Sequence, residues 1–109
     1  MDQHLFLADL ASAAPALERG IHSQTIAKGD GVEVVLFSLA TGEELSEHTS
    51  ARPAIVAILR GRGRLTVGGQ EHEIAPGSWL RMAPRTPHAI VAGEPLVFAL
   101  YLLPRPDAG

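Results

Sequence analysis

Apolar and polar positions alternate along most of this chain, and turn residues separate the alternating runs. Ile21 to Lys28 alternates weakly and predicts an edge strand, closed by a turn at Gly29-Asp30-Gly31. Val32 to Leu39 is rich in β-branched and aromatic residues and predicts a strand buried on much of both faces. Thr41-Gly42-Glu43 turns the chain into a polar strand, Leu45 to Ser50, which carries His48. Arg52-Pro53 breaks that strand, and Ala54 to Leu59 follows as a fully apolar one. Gly61 and Gly63 read as members of the same continuing ribbon, where glycine marks a bulge or a close backbone approach.

The sharpest local signal runs from Arg64 to Val67, through Gly68-Gly69, to Gln70 to Ile74. Two alternating runs joined by two glycines predict a hairpin with positive φ in its turn. Ala75-Pro76-Gly77-Ser78 fits a type II turn. Trp79 to Ala83 is the next strand, and Pro84 to Pro87 is a rigid loop that delivers His88. Ala89 to Ala92, the turn Gly93-Glu94-Pro95 and the core strand Leu96 to Leu103 complete the pattern, leaving a tail from Pro104 that is expected to fray.

Only residues 5 to 19 depart from this. Leu5, Leu7, Leu10 and Leu17 are roughly helically spaced, but Pro15 interrupts them. The segment reads as a short helix or as an extended arm that packs on a partner subunit. Many short strands with turns every few residues and hardly any helix predict an all-β sandwich or barrel. At 109 residues the chain has the length of one domain, spanning 1–109, with its core over about 31–103 and an arm or helix over 1–20.

Composition narrows the functional classes. A net charge of −3 argues against nucleic acid or an anionic membrane as partner, since both demand a basic footprint. The absence of cysteine excludes disulfides, iron–sulfur clusters and thiolate zinc sites. Asp2 and Asp9 break the apolar N-terminal run, which lacks a basic leader, so a signal peptide is not expected. The longest apolar run, Leu96 to Leu103, falls far short of the roughly 20 residues that span a bilayer. The expectation is a cytoplasmic protein with no membrane partner.

At this point two motifs come into view. Gly42, His48 and Gly61 stand at the spacings of a pattern that runs Gly, five residues, His, one residue, His, three residues, Glu, six residues, Gly. Ser50 occupies the place of the second histidine and Ala54 that of the glutamate. Gly77, Pro84 and His88 follow a second pattern loosely, with Ser78 where an aspartate is frequent. In these motifs the chain resembles the cupin superfamily of small double-stranded β-helix (jelly-roll) barrels. The resemblance covers roughly residues 31 to 103.

The resemblance implies a cavity in which three histidines and a carboxylate hold iron, manganese, nickel, copper or zinc, metals that suit nitrogen and oxygen donors. Here it leaves His48 and His88 as metal ligands, two of the usual four. A hydroxyl at Ser50 is a poor ligand and Ala54 offers none. Glu44 or Glu47 are candidates for a recruited donor. Ser50, Ala54, Met82, Trp79 and Arg52 are assigned to the pocket around the two imidazoles. Small members of the superfamily are commonly dimers, so a homodimer is expected.

Each of these residues also has a plainer reading. His48 and His88 can be remnants, hydrogen-bonded to each other, water or backbone. Trp79 and Met82 can pack the core, as Phe37, Phe98 and Tyr101 are expected to do. His72, between Glu71 and Glu73, reads as solvated surface, and His22 as part of an edge strand. Arg60, Arg62 and Arg64 alternate, which predicts either a solvated edge or a basic anion-binding stripe. Arg52 and Arg81 flank the expected mouth, as partners for a substrate carboxylate or for a surface glutamate.

Three functions are compatible with this pattern. The first is a monocupin that binds an unknown small molecule beside an incomplete, weak divalent-metal site. The second is a metal-dependent dioxygenase or isomerase with ligands recruited from outside the motif. The third is a non-catalytic regulatory or structural dimer. No glycine-rich phosphate loop, His-Glu-x-x-His helix or Gly-x-Ser-x-Gly elbow offers another chemistry.

Overall fold

The structure, a computed structural model, describes residues 3–105. The frayed end expected over 104–109 therefore lies mostly outside the described residues. Among them the chain forms nine strands: β1 (Ile21–Gly29), β2 (Val32–Leu39), β3 (Glu44–His48), β4 (Ala54–Arg60), β5 (Gly63–Val67), β6 (Gln70–Ile74), β7 (Trp79–Met82), β8 (His88–Ala92) and β9 (Leu96–Leu102). They make two sheets, one ordered β1-β2-β9-β4-β7 and one ordered β3-β8-β5-β6. All paired strands are antiparallel. No helix among the described residues is long and apolar enough to cross a membrane.

The main core lies between the sheets. Ala54, Val56 and Ile58 are buried on the inner face of β4, and they meet Leu65, Ile74, Met82, Ile90, Leu96 and Phe98. Phe37 and Phe98 are direct cross-strand partners and stack with centroids 4.8 Å apart. Such a pair adds about 1 kcal/mol beyond its buried area. Phe98 is buried, as expected, while Phe37 and Tyr101 are only half-buried.

The Gly68-Gly69 turn has φ of 55° and 82°, the positive values its hairpin requires. Two other expectations fail. The first is the helix over 5–19, of which only one 3₁₀ turn forms, Leu10–Ala13. Pro15 pushes Ala14 into extended backbone (φ −82°, ψ 135°), which stops the helix. This segment packs on its own chain: Ala11, with Leu10 and Ala14, covers Leu36 and Val97 on the outer face of the larger sheet. Ser38 Oγ donates to Pro15 O at 2.8 Å and Arg60 meets the Asp9 carboxylate at 3.1 Å. The Ser12 hydroxyl, donating to Asp9 Oδ2, holds the Asp9 carboxyl below its ordinary range, and Arg60 adds to the effect. Leu5, Phe6 and Leu7, ahead of this anchor, remain exposed.

The second failure is the ribbon through Gly61. With φ at 85°, Gly61 turns the chain out of the larger sheet and into the smaller one. Arg60 and Arg64 therefore sit on strands of different sheets and form no stripe. Arg60 pairs with Asp9, and Arg64 lies 3.6 Å from Glu71 and 3.8 Å from Glu73.

Candidate functional site

The smaller sheet brings the two motif histidines together. His48, the last residue of β3, is the register partner of His88, the first residue of β8. Their ring centroids are 4.1 Å apart and the planes are tilted by 59°. Each ring is held by a carbonyl two residues before it: His48 Nδ1–H donates to Ser46 O in β3, and His88 Nδ1–H to Thr86 O in the loop ahead of β8, both at 2.8 Å. A carbonyl oxygen only accepts, so the proton sits on Nδ1. Each neutral imidazole is then left with its lone pair on Nε2, the form in which histidine accepts a hydrogen bond or binds a metal.

The loops that follow and precede these strands are tied to each other. Arg85 N–H donates to Ser50 O at 2.6 Å. Arg85 adopts this position with φ of 61°, an uncommon value for a residue with a side chain. The loop that delivers His88 is thus latched to the loop that leaves His48.

Both rings wall a cavity of about 50 Å³ at the mouth, together with Ser50, Arg52, Ala54, Met82 and Thr86. Four of the five residues assigned to the pocket from sequence lie on it. Trp79 does not. It is 63% exposed and lies on another opening, which holds the exposed His72 and reaches the core residues Val56, Ile58, Leu65 and Ile74. Strand parity is the reason: Trp79 and Met82 are three positions apart, so they point to opposite faces of β7. Arg81 shares the outward face of Trp79 and does not line the mouth.

Arg52 is the one charged residue on the cavity wall, and its guanidinium is already engaged. Nε donates to Leu103 O at 2.9 Å, and Nη2 to Gly31 O at 2.6 Å and Leu102 O at 3.1 Å. Nη1 lies 3.7 Å from Glu33 Oε1. It fastens the end of β9 to the β1–β2 turn.

A second cavity of about 50 Å³ lies deeper, between the sheets. It shares His48, His88 and Leu100 with the mouth, and its remaining wall is apolar, with Phe37, Leu45 and Phe98 among its residues. An unfilled space of this size costs about 1 kcal/mol of stability. Nothing in the sequence pointed to Leu100 or to this inner chamber.

The site does not fit the four-ligand metal centre that the resemblance implies. Among the described residues no group of three His, Cys, Asp or Glu side chains is placed to hold one ion. Glu44 and Glu47 are exposed, and neither lines either cavity.

The sequence matches the model of the Cupin domain over residues 35–102. The chain belongs to the cupin family. Solved structures agree with this. A conserved protein of unknown function, SPY1581 from Streptococcus pyogenes, is 27% identical, with 98% of this chain and 93% of that one covered and a TM-score of 0.83. A cupin superfamily protein, DSY2733 from Desulfitobacterium hafniense, is 27% identical over 95% of this chain and 94% of its own, with a TM-score of 0.82. KdgF from Halomonas sp. is 27% identical over 81% and 83%, with a TM-score of 0.70. No curated protein matches this sequence. As a cupin, the chain keeps the barrel and two of the imidazoles, while the positions of two usual ligands carry a hydroxyl and a methyl group.

Proposed function

We propose that this cupin binds a small molecule at the mouth of its barrel, with the imidazoles of His48 and His88 as the recognition groups. One observation carries the reading. Both rings spend Nδ1–H on backbone carbonyls, which leaves Nε2 as the remaining acceptor, and both rings line the same cavity. Two nitrogen donors without a carboxylate make at most a weak metal site, so a divalent ion would be held only with help from a bound ligand or water. Among the described residues, the three or more donors that a metal-dependent dioxygenase or isomerase would need are not brought together.

The test is ligand-observed NMR with a library of fragments of fewer than about ten heavy atoms, run in parallel on wild type, His48→Ala and His88→Ala. Saturable binders that disappear in both variants support the reading. A library that fails to separate wild type from the variants removes it, and so does stoichiometric, submicromolar binding of manganese, iron, nickel or zinc by the wild-type chain.

A second reading is self-association, and exposed apolar side chains favour it. Phe6 is 78% exposed, Leu5 62% and Trp79 63%. A homodimer that covers them would appear in light scattering at micromolar concentration. A monomer there would end this reading and leave the first untouched.

A further inference from the structure

The two cavities share the imidazoles as part of their walls, and the side chains around them differ. The mouth sets the polar side chains of Ser50, Arg52 and Thr86 beside the two rings, among apolar ones such as Met82 and Leu102. The inner chamber has no polar side chain apart from those rings. From this pairing we infer that the ligand is a short neutral amphiphile whose head both donates and accepts hydrogen bonds and whose unbranched apolar tail passes the imidazoles into the inner chamber. The inference rests on the small-molecule reading above and names its ligand class.

The head follows from the hydrogen-bond inventory. Two neutral imidazoles offer acceptors at Nε2, so the head must supply N–H or O–H groups. The Ser50 hydroxyl oxygen accepts from Arg52 N–H at 3.2 Å, which leaves its own proton to give. The head must therefore accept as well. Arg52 is the only charge on the wall and has Glu33 beside it, so no unpaired charge calls for an ionic ligand. A primary carboxamide meets all three conditions.

The tail follows from the volume. About 50 Å³ holds one or two groups of the size of water or a methylene. A chain that fits gains about fourfold in affinity per methylene, and a longer one must displace Phe37, Leu45 or Phe98.

The experiment titrates the whole chain at pH 8 with formamide, acetamide, propanamide, butanamide, pentanamide and hexanamide. The imidazole nitrogens of His48 and His88 are followed by long-range ¹H–¹⁵N NMR. The dissociation constant is expected to fall about fourfold per carbon to propanamide or butanamide and to rise beyond. N,N-dimethylpropanamide, which has no donor, and propionate, which is charged, should each bind at least tenfold more weakly than propanamide. Val56→Ile and Leu45→Phe, which add volume to the chamber wall, should move the optimum to a shorter amide. Their thermal unfolding confirms that they are folded.

The outcomes separate the two claims. If no amide and no propionate moves either histidine, the pocket reading itself fails. If the histidines respond but affinity ignores tail length, or the two variants keep the wild-type optimum, the pocket survives and the tail assignment is overturned. If propionate or the dimethyl amide equals propanamide, the neutral donating head is wrong.

Discussion

His48 and His88 face each other across β3 and β8 with ring centroids 4.1 Å apart, and each is oriented by the backbone carbonyl two residues before it. The pair is built into the sheet register and needs no partner side chain to hold it. This arrangement predicts one tautomer for both rings. At pH 8, long-range ¹H–¹⁵N spectra should show Nδ1 protonated and Nε2 bare in each. The pair should also bind Ni²⁺ weakly, and His48→Ala or His88→Ala should each weaken it more than about tenfold, since even losing a group that merely hydrogen-bonds to a metal ligand costs that much. Proton signals on Nε2, or Ni²⁺ affinity unmoved by either change, would contradict the geometry.

Ser50 and Ala54 stand on the same cavity wall as the two histidines, which makes the missing ligands restorable. The double variant Ser50→His, Ala54→Glu should bind one Mn²⁺, Fe²⁺ or Zn²⁺ per chain, at least a hundredfold tighter than wild type. Ala54 is only 2% exposed, so the new carboxylate is buried and the metal-free variant should lose several kcal/mol. Saturating metal at about a hundred times its dissociation constant should return about 2.7 kcal/mol, visible as a rise in Tm. Elemental analysis that finds no stoichiometric metal would mean that these four side chains do not converge.

Much of this architecture was legible beforehand, for identifiable reasons. Strand positions and the hairpin follow from alternation and from turn glycines such as Gly68-Gly69, because the backbone there accepts few other residues. The histidine pair was legible through the motif spacing. What failed was phase. Leu96 to Leu103 is apolar throughout, so nothing in it shows that Phe98 and Leu100 face the inner chamber while Val97 packs under the N-terminal segment. Trp79 is expected beside the pocket because it stands on the strand that leads to His88, yet parity with Met82 sends it out. The chamber is a void left by packing, which no single residue announces.

Arg52 illustrates a role that only the fold reveals, and it yields a stability prediction. Its guanidinium joins the carbonyls of Leu102, Leu103 and Gly31. Arg52→Met keeps most of the aliphatic stem and abandons these acceptors. The expected loss is about 2 kcal/mol, since hydrogen bonds from a charged donor are worth roughly that much in total once water partly replaces them. For a domain of this size that is about 10 °C in Tm. Arg52→Lys should recover only part, because an ammonium cannot span the three carbonyls as the planar fork does. Equal Tm values for wild type and Arg52→Met would show that the clamp contributes nothing.

The two glycines that open and close the first motif differ in what they require, although both have φ of 85°. A Cβ on Gly42 would meet no atom within 4 Å. A Cβ on Gly61 would fall on the Pro95 carbonyl oxygen and lie 2.9 Å from Leu96 Cα, backbone atoms that cannot swing aside. Gly42→Ala therefore carries only the left-handed backbone penalty, about 1–2 kcal/mol. Gly61→Ala adds a displacement of the turn that feeds β9, so its cost should exceed that of Gly42→Ala by about 2 kcal/mol. Because β9 supplies Leu100 to both cavities, Gly61→Ala should also weaken ligand binding at the histidines, whereas Gly42→Ala should leave it intact. Urea unfolding of both variants measures the first difference, and the imidazole ¹⁵N response to propanamide measures the second. Equal destabilisation by the two substitutions would refute the close approach of the Gly61 turn to Pro95, and with it the physical reason for glycine at that place in the motif.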